Sequence, residues 1–320
     1  MIVSASQEIL PRHQAKILKE TEEEILIYPA INQIPQAVAD ETEIIITFGN
    51  NLTDSNPVPV DISRFPKLKW IQMLSAGIED LPLEEIQQRG ITVTNVSGIH
   101  VTPMTEYVLL CMLHFEKDME RYRALKKKKK YDRTKLVGEL SGRETLIYGT
   151  GTIGQAVARV LTLFNVRVFG VNTTGRPVEP FLETYTLEQA EQKIRSVDYV
   201  ISLLPSTSLT RGFFSREYLQ LMKEDGVFIS LGRGDVVDED SVVEMIRTGR
   251  LKGAAFDVFQ KEPLPLDSPL WDCENLIVTP HMSAKSIYYI DRCIDIFIQN
   301  IQSYRSNRPM VNLVNAVREY

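Results

Sequence analysis

Three side chains of complementary chemistry stand at short intervals in the second half of the chain. Arg233 lies in Leu231-Gly232-Arg233-Gly234-Asp235, Glu262 in Asp257-Val258-Phe259-Gln260-Lys261-Glu262-Pro263, and His281 follows Thr279-Pro280. An imidazole titrates near neutral pH, so His281 is suited to give or take a proton in carbonyl chemistry. A carboxylate beside such an imidazole fixes its tautomer and favours its charged form, a part open to Glu262. The guanidinium of Arg233 can bind a carboxylate or polarise a carbonyl with paired donors. Each residue alone would serve as well as a surface ion pair or a cap; the three form a site only if one edge of the fold collects them. Of the other histidines, His13 and His114 fall in helical stretches, and His100 falls at a proposed hinge.

A second stretch with chemical potential is Gly149-Thr150-Gly151-Thr152-Ile153-Gly154, which follows the apolar run 144–148 and leads into helix-like residues 155–164. In such a turn the first glycine permits the bend, the second admits a pyrophosphate to the backbone, and the third lets helix pack on strand. The helix N-terminus offers free N–H groups and partial positive charge to phosphates. The context predicts dinucleotide binding, with a ligand-free tight turn or a methyltransferase-type loop as alternatives. Roughly 20 residues further on, an NAD site places a carboxylate on the ribose 2′-hydroxyl. Here the chain reads Val171-Asn172-Thr173-Thr174-Gly175-Arg176. Small polar groups followed by arginine suit a 2′-phosphate, which favours NADP(H) and leaves NAD(H) possible. The alternative is that Arg176 is an exposed loop residue and Asn172 serves NAD.

These residues need a scaffold. Short β-branched runs at 24–29, 43–49, 68–74 and 91–96 alternate with helix-like stretches at 8–20, 33–40 and 83–89. A second series of runs at 144–149, 166–172, 198–205, 226–231, 254–258 and 275–279 makes a six-strand doubly wound sheet of its own. Thr186-Leu187-Glu188-Gln189 predicts a capping box, and Gly249 predicts the end of a helix over 238–248. A long helix beginning near Thr102, with Pro103 in its first turn, joins the two series. Over 283–303, Ile287, Ile290, Ile294, Phe297, Ile298 and Ile301 recur at helical spacing and require a buried face. If that helix returns to the first domain, the chain crosses between domains twice, with hinges near 97–102 and 282–285.

Gly232-Arg233-Gly234 with Val237-Asp238-Glu239, then Asp257-Val258-Phe259 with Glu262-Pro263-Leu264-Pro265, then Thr279-Pro280-His281 together resemble the D-isomer-specific 2-hydroxyacid dehydrogenases, most strongly over 139–284. The resemblance implies two doubly wound parallel-sheet α/β domains, Rossmann-like and flavodoxin-like, with an active-site cleft between them. The flavodoxin-like substrate domain would comprise 1–98 plus 284–320, and the NAD(P)-binding Rossmann domain, with its dimerisation helix and arm, 99–283. It implies hydride transfer between a nicotinamide and C2 of a 2-oxo or D-2-hydroxy acid. Arg233 would anchor and polarise the substrate, His281 would donate the proton, and Glu262 would keep that histidine protonated.

By the same resemblance, Ser75-Ala76-Gly77, with Glu79 after it, forms a carboxylate-binding loop. Leu204 and Pro205 with Thr210, and Leu231 with Gly232, pack on the cofactor. Asp257 matches the residue that recognises the nicotinamide carboxamide, while Asn95 and Glu106 match positions at the domain crossover. Two departures stand out: Ser230 where many members have Asn, and Tyr131 where some carry a Trp that reaches a substrate pocket. The substrate expected is glyoxylate, hydroxypyruvate or another short 2-oxo acid. A short phosphoglycerate dehydrogenase is the nearest alternative, and a non-catalytic dinucleotide-sensing protein the alternative of another class.

Composition bounds the rest. The 320 residues suggest two domains, and 43% apolar with 24% charged residues is ordinary for a globular protein. The net charge of −6 disfavours nucleic acid as the partner. It is uneven: 116–135 hold ten basic and four acidic residues, a local +6 that leaves −12 for the rest. The lysines at 126–130 read as a solvated face. Three cysteines without CxxC spacing argue against a disulfide framework and a metal site and read as buried thiols. With no apolar run of membrane-spanning length and no signal-peptide pattern, a cytoplasmic homodimer free of membrane and metal is expected.

Overall fold

Mostly apolar runs of three to five residues supply all but one of the parallel strands, and their side chains are largely buried on both faces. The computed structural model describes residues 1–49, 60–78 and 81–314. In chain order the elements are β1 (Ile2–Ala5), α1 (Pro11–Thr21), β2 (Ile25–Ile27), α2 (Gln36–Ala39), β3 (Ile44–Thr47), β4 (Trp70–Met73), α3 (Leu83–Arg89) and β5 (Thr92–Thr94). There follow α4 (Val101–Glu116), α5 (Met119–Lys127), β6 (Glu144–Tyr148), α6 (Thr152–Leu163), β7 (Arg167–Val171), β8 (Thr184–Tyr185), α7 (Ala190–Lys193) and β9 (Tyr199–Ser202). The last are α8 (Arg216–Leu219), β10 (Val227–Ser230), α9 (Glu239–Arg247), β11 (Gly253–Phe256), β12 (Leu276–Val278) and α10 (Tyr289–Arg305). Two units result, one of Met1–Ile99 with Ser286–Tyr320 and one of His100–Lys285.

The first unit holds a five-stranded parallel sheet in the order β2-β1-β3-β4-β5, the flavodoxin-like order. The four runs expected omitted β1, a short strand at the very start of the chain. Helix α10 belongs to this unit because Cys293, Ile294, Phe297, Ile298 and Ile301 bury one stripe against Ile2, Trp70 and Leu74. At about 1.5–3 kcal/mol per buried side chain, that stripe contributes on the order of 10 kcal/mol before entropic costs. Trp70 stacks on Phe297 and Tyr304, with centroids at 5.5 and 5.4 Å, and its indole N–H donates to Thr94 Oγ1 at 2.8 Å. Buried Asn300 satisfies the helix underside by donating to Gln72 Oε1 and Val311 O and accepting from Val311 N. Ile287 departs from the sequence expectation: it precedes α10 and is 84% exposed.

The second unit holds a seven-stranded parallel sheet in the order β12-β11-β10-β9-β6-β7-β8, the Rossmann order with one further strand at the β12 edge. The additional strand relative to the six expected is β8, two residues with no apolar alternation to mark them. Separate apolar clusters cover its two faces, one around Tyr148, Phe228 and Phe256 and one around Met112, Val157 and Ile229. Helix signals act as the spacing predicts. Thr186 and Gln189 exchange side-chain-to-backbone bonds at 3.2 and 3.0 Å, and Asp238 caps α9 through Ser241 N at 3.1 Å. The lysines at 126–130 are all exposed.

All three cysteines are unpaired and buried. Burial pushes the Cys111 thiol up to about 12 and raises those of Cys273 and Cys293 as well.

Candidate active site

Because the seven strands are parallel, their C-terminal ends share one edge, and the chain reverses its lateral direction between β6 and β9, where ligands bind in doubly wound sheets. Strand β6 ends in the glycine turn. Gly149 adopts φ +110°, and a Cβ on Gly154 would lie 2.0 Å from Gly149 O, so only glycine lets α6 settle on the strand end. A Cβ on Gly151 would meet nothing within 4 Å among the described residues, which leaves that backbone open. Thr152 and Ile153 begin α6, whose first N–H groups lack intrahelical partners. This open turn at a helix start fits the pyrophosphate of a dinucleotide.

After β7, Asn172 organises the next loop. Its Nδ2 donates to Thr150 Oγ1 and Arg176 O, and its Oδ1 accepts from the Thr174 amide and hydroxyl. Thr173, Thr174 and Arg176 are exposed, and no carboxylate stands among 172–176. Beyond β9, Thr210 Oγ1 donates to Pro205 O at 2.5 Å, pinning the loop that carries Leu204 and Pro205. Gly232, after β10, lies against that loop, since a Cβ there would be 2.2 Å from Leu204 O. Leu231 is buried beside it.

The acid–base pair forms at the ends of β11 and β12. His281 Nδ1 lies 2.8 Å from Glu262 Oε2, and Glu262 Oε1 accepts from Phe259 N at 3.0 Å, so both carboxylate oxygens are engaged. The segment carrying Glu262 is held from the start of α9, where Glu239 Oε1 accepts Gln260 N at 2.5 Å, and from the loop just before it, where Gln260 Nε2 donates to Val237 O. Burial, and then the neighbouring Asp240 and Glu262 carboxylates, raise the Glu239 carboxyl above its ordinary range against the pull of the Gln260 N–H. Gly234 lets the Arg233 loop abut the Glu262 segment, because a Cβ there would fall 1.9 Å from the Phe259 carbonyl carbon. Arg233 is exposed and donates to Gly232 O. Its charge reaches His100, whose imidazole is pushed below its ordinary value by burial first and by Arg233 second.

Asp257, the residue after β11, is wholly buried and accepts from Thr279 Oγ1, Met282 N and Ser283 N at 2.7–2.8 Å. Its carboxylate therefore clamps the turn that carries His281.

One edge of the second sheet thus gathers Arg233, Glu262, His281, Asp257, the glycine turn and residues 172–176. Ser75, Ala76 and Gly77 belong to the first unit, after β4. There Ser75 Oγ donates to Gly77 O and Asn95 Nδ2 to Ala76 O. Glu79 lies outside the described residues. Tyr131 is 91% exposed, and Ser230 Oγ is buried without a partner among the described residues. Sequence reasoning missed three contributors: Glu239, His100 as a neighbour of Arg233, and Tyr107, whose hydroxyl lies 2.6 Å from Thr279 Oγ1. A sequence signal existed only for Glu239, in the Val237-Asp238-Glu239 motif.

A glycine turn at the switch point of a doubly wound sheet, with an acid–base pair on the same edge, defines a dinucleotide-dependent oxidoreductase. Residues 109–283, more than half of the chain, match the family model for "D-isomer specific 2-hydroxyacid dehydrogenase, NAD binding domain". A solved structure of a D-isomer specific 2-hydroxyacid dehydrogenase family protein from Aeromonas salmonicida is 30% identical, with a TM-score of 0.85 and 98% of each chain covered. An NADPH-dependent glyoxylate/hydroxypyruvate reductase from Sinorhizobium meliloti, solved with NADP and sulfate, is 25% identical, with a TM-score of 0.79, covering 100% of this chain and 99% of that one. D-3-phosphoglycerate dehydrogenase of Methanocaldococcus jannaschii is 27% identical over 281 residues, 86% of this chain and 52% of that protein. The chain belongs to the D-isomer specific 2-hydroxyacid dehydrogenases and is an NAD(P)-dependent oxidoreductase acting on the CH–OH group of 2-hydroxy acids. Family membership sets aside the reading as a non-catalytic dinucleotide sensor.

Proposed function

We propose that this enzyme reduces a short 2-oxo acid of the glyoxylate or hydroxypyruvate kind, prefers NADPH, and works as a cytoplasmic homodimer. The observation that carries the chemistry is the 2.8 Å His281–Glu262 pair at the sheet edge to which Arg233 also belongs. The bond to Glu262 occupies Nδ1 and leaves Nε2 as the nitrogen that gives its proton to the carbonyl oxygen as that oxygen becomes a hydroxyl. Glu262 stabilises the imidazolium from which the proton leaves. Arg233 anchors the substrate carboxylate and offsets negative charge growing on the carbonyl oxygen. Ser75, Ala76 and Gly77 are assigned to the substrate carboxylate on the resemblance. When bound, the nicotinamide supplies the hydride that C2 receives, and Asp257 is assigned to its carboxamide on the same ground.

The cofactor preference is supported by the missing carboxylate at 172–176, by Arg176 in that loop, and by the NADPH dependence of the Sinorhizobium relative. A screen of 2-oxo acids with each cofactor tests both assignments. Glyoxylate or hydroxypyruvate with NADPH is expected to give the highest kcat/KM, and Arg176→Ala to lower kcat/KM for NADPH about tenfold while sparing NADH. Faster turnover with NADH, or 3-phosphoglycerate oxidation as the best reaction, overturns them. The latter would favour the phosphoglycerate dehydrogenase reading that the Methanocaldococcus relative raises.

Exposed apolar side chains along α4, α5 and the segment after them support the dimer: Leu110, Met119, Tyr131, Leu136 and Val137. Light scattering is expected to return twice the mass of one chain, and Leu136→Asp to reduce it. A wild-type monomer at micromolar concentration contradicts the dimer. Unpaired thiols suit a reducing compartment, and no described helix is long and apolar enough to cross a membrane.

A further inference from the structure

His281 holds φ +49°, in the left-handed region that is uncommon for a residue with a side chain, although histidine enters it more readily than most. What holds it there is on both sides of the residue. His281 N donates to Asp257 O at 2.8 Å, and the Asp257 carboxylate takes three donors from the same turn: the Thr279 hydroxyl, Met282 N and Ser283 N. An ionised carboxylate only accepts, so the single proton of the Thr279 hydroxyl points at Asp257 Oδ1. That hydroxyl can then only accept from its other neighbour, Tyr107 OH, at 2.6 Å. Tyr107 is buried on α4, and burial raises its phenol far above the usual range, so it stays a donor throughout the working range of pH. The chain of donors runs in one direction, from Tyr107 through Thr279 to Asp257, and ends on the turn that bears the imidazole.

We propose that Tyr107 is a positioning residue for His281. By fixing the Thr279 hydroxyl, it keeps the buried Asp257 carboxylate aligned with the amides of Met282 and Ser283, and so holds the imidazole in line with Glu262 and the substrate. The proposal rests on the assignment of His281 as proton donor. Without the phenol, the Thr279 hydroxyl still donates to Asp257 but loses the donor that orients it, and the turn it shares with Met282 and Ser283 shifts by a fraction of an ångström. Displacement of a catalytic group by an ångström or less is costly in rate and nearly silent in binding.

The test is a cycle of Tyr107→Phe and Thr279→Val in the full-length enzyme, with Thr279→Ser as the conservative control. Tyr107→Phe is expected to lower kcat for 2-oxo acid reduction about ten- to hundredfold, with both KM values within about twofold. The double variant should be little worse than Thr279→Val alone, because both changes break one chain of bonds. Thr279→Ser, which keeps the hydroxyl, should recover most of what Thr279→Val loses. A readout independent of turnover comes from the four histidines: Tyr107→Phe should move the His281 ring resonance and leave that of His13 in place. Unchanged kcat, strictly additive effects, or an unmoved His281 resonance overturns the proposal. Activity surviving in His281→Gln would instead overturn the assignment of the proton donor, and the resonance would still report whether Tyr107 positions that turn.

Discussion

Replacing His281 with glutamine is expected to lower kcat for every accepted 2-oxo acid by about 10²–10⁴, the usual contribution of a positioned general acid. Glutamine is close in size and can still bond to Glu262, but it has no proton to release at the pH of the reaction. The backbone turn should survive, because it is clamped by Asp257 and not by the imidazole. NADPH binding, followed by fluorescence titration, should therefore change little. The measurement is steady-state reduction of glyoxylate and hydroxypyruvate beside that titration; a variant that turns over at the wild-type rate removes His281 from the mechanism.

Arg233→Ala carries the second large effect, a fall in kcat/KM of about 10³. Two losses combine: an electrostatic stabiliser of a developing alkoxide contributes about 10²–10³, and a charge-assisted anchor for the carboxylate adds to KM. Arg233→Lys should recover only part of this, since an ammonium is a point charge without paired planar donors. The same variant has a second signature. Arg233 is one of two causes that depress His100, so removing it should let the His100 titration climb back toward the ordinary imidazole value while burial keeps it below. Because a positive neighbour disfavours a second proton, a His100 titration that fell in Arg233→Ala would show that the two groups do not interact as described. Equal kcat/KM in wild type and Arg233→Ala would exclude the arginine from the site.

The fold was largely legible because parallel strands buried on both faces leave unbroken apolar runs, and the helices between them carry their own punctuation in Pro103, Thr186, Asp238 and Gly249. Legibility failed where the signal was too short. β1 has four residues at the chain start and β8 has two, and neither gives a period to read. Ile287 fell into phase with a helix that begins only at Tyr289, and periodicity alone cannot say where a helix starts. At the site, residue types at strand ends pointed to Arg233, Glu262 and His281, since a parallel sheet brings such ends to one edge. The partners that hold those residues were hidden. Tyr107 and Thr279 are 172 positions apart, and a hydrogen bond between two side chains that distant leaves no trace in local spacing.

The buried cysteines make the protein its own reporter of opening. Cys293 is sealed on the buried face of α10 in the first unit, and Cys111 and Cys273 are sealed in the second. Each thiol is held in its unreactive protonated form until its surroundings come apart. An alkylating reagent added to the native enzyme therefore reads a separate clock in each unit, and the order in which the three sulfurs become labelled tells which sheet loosens first.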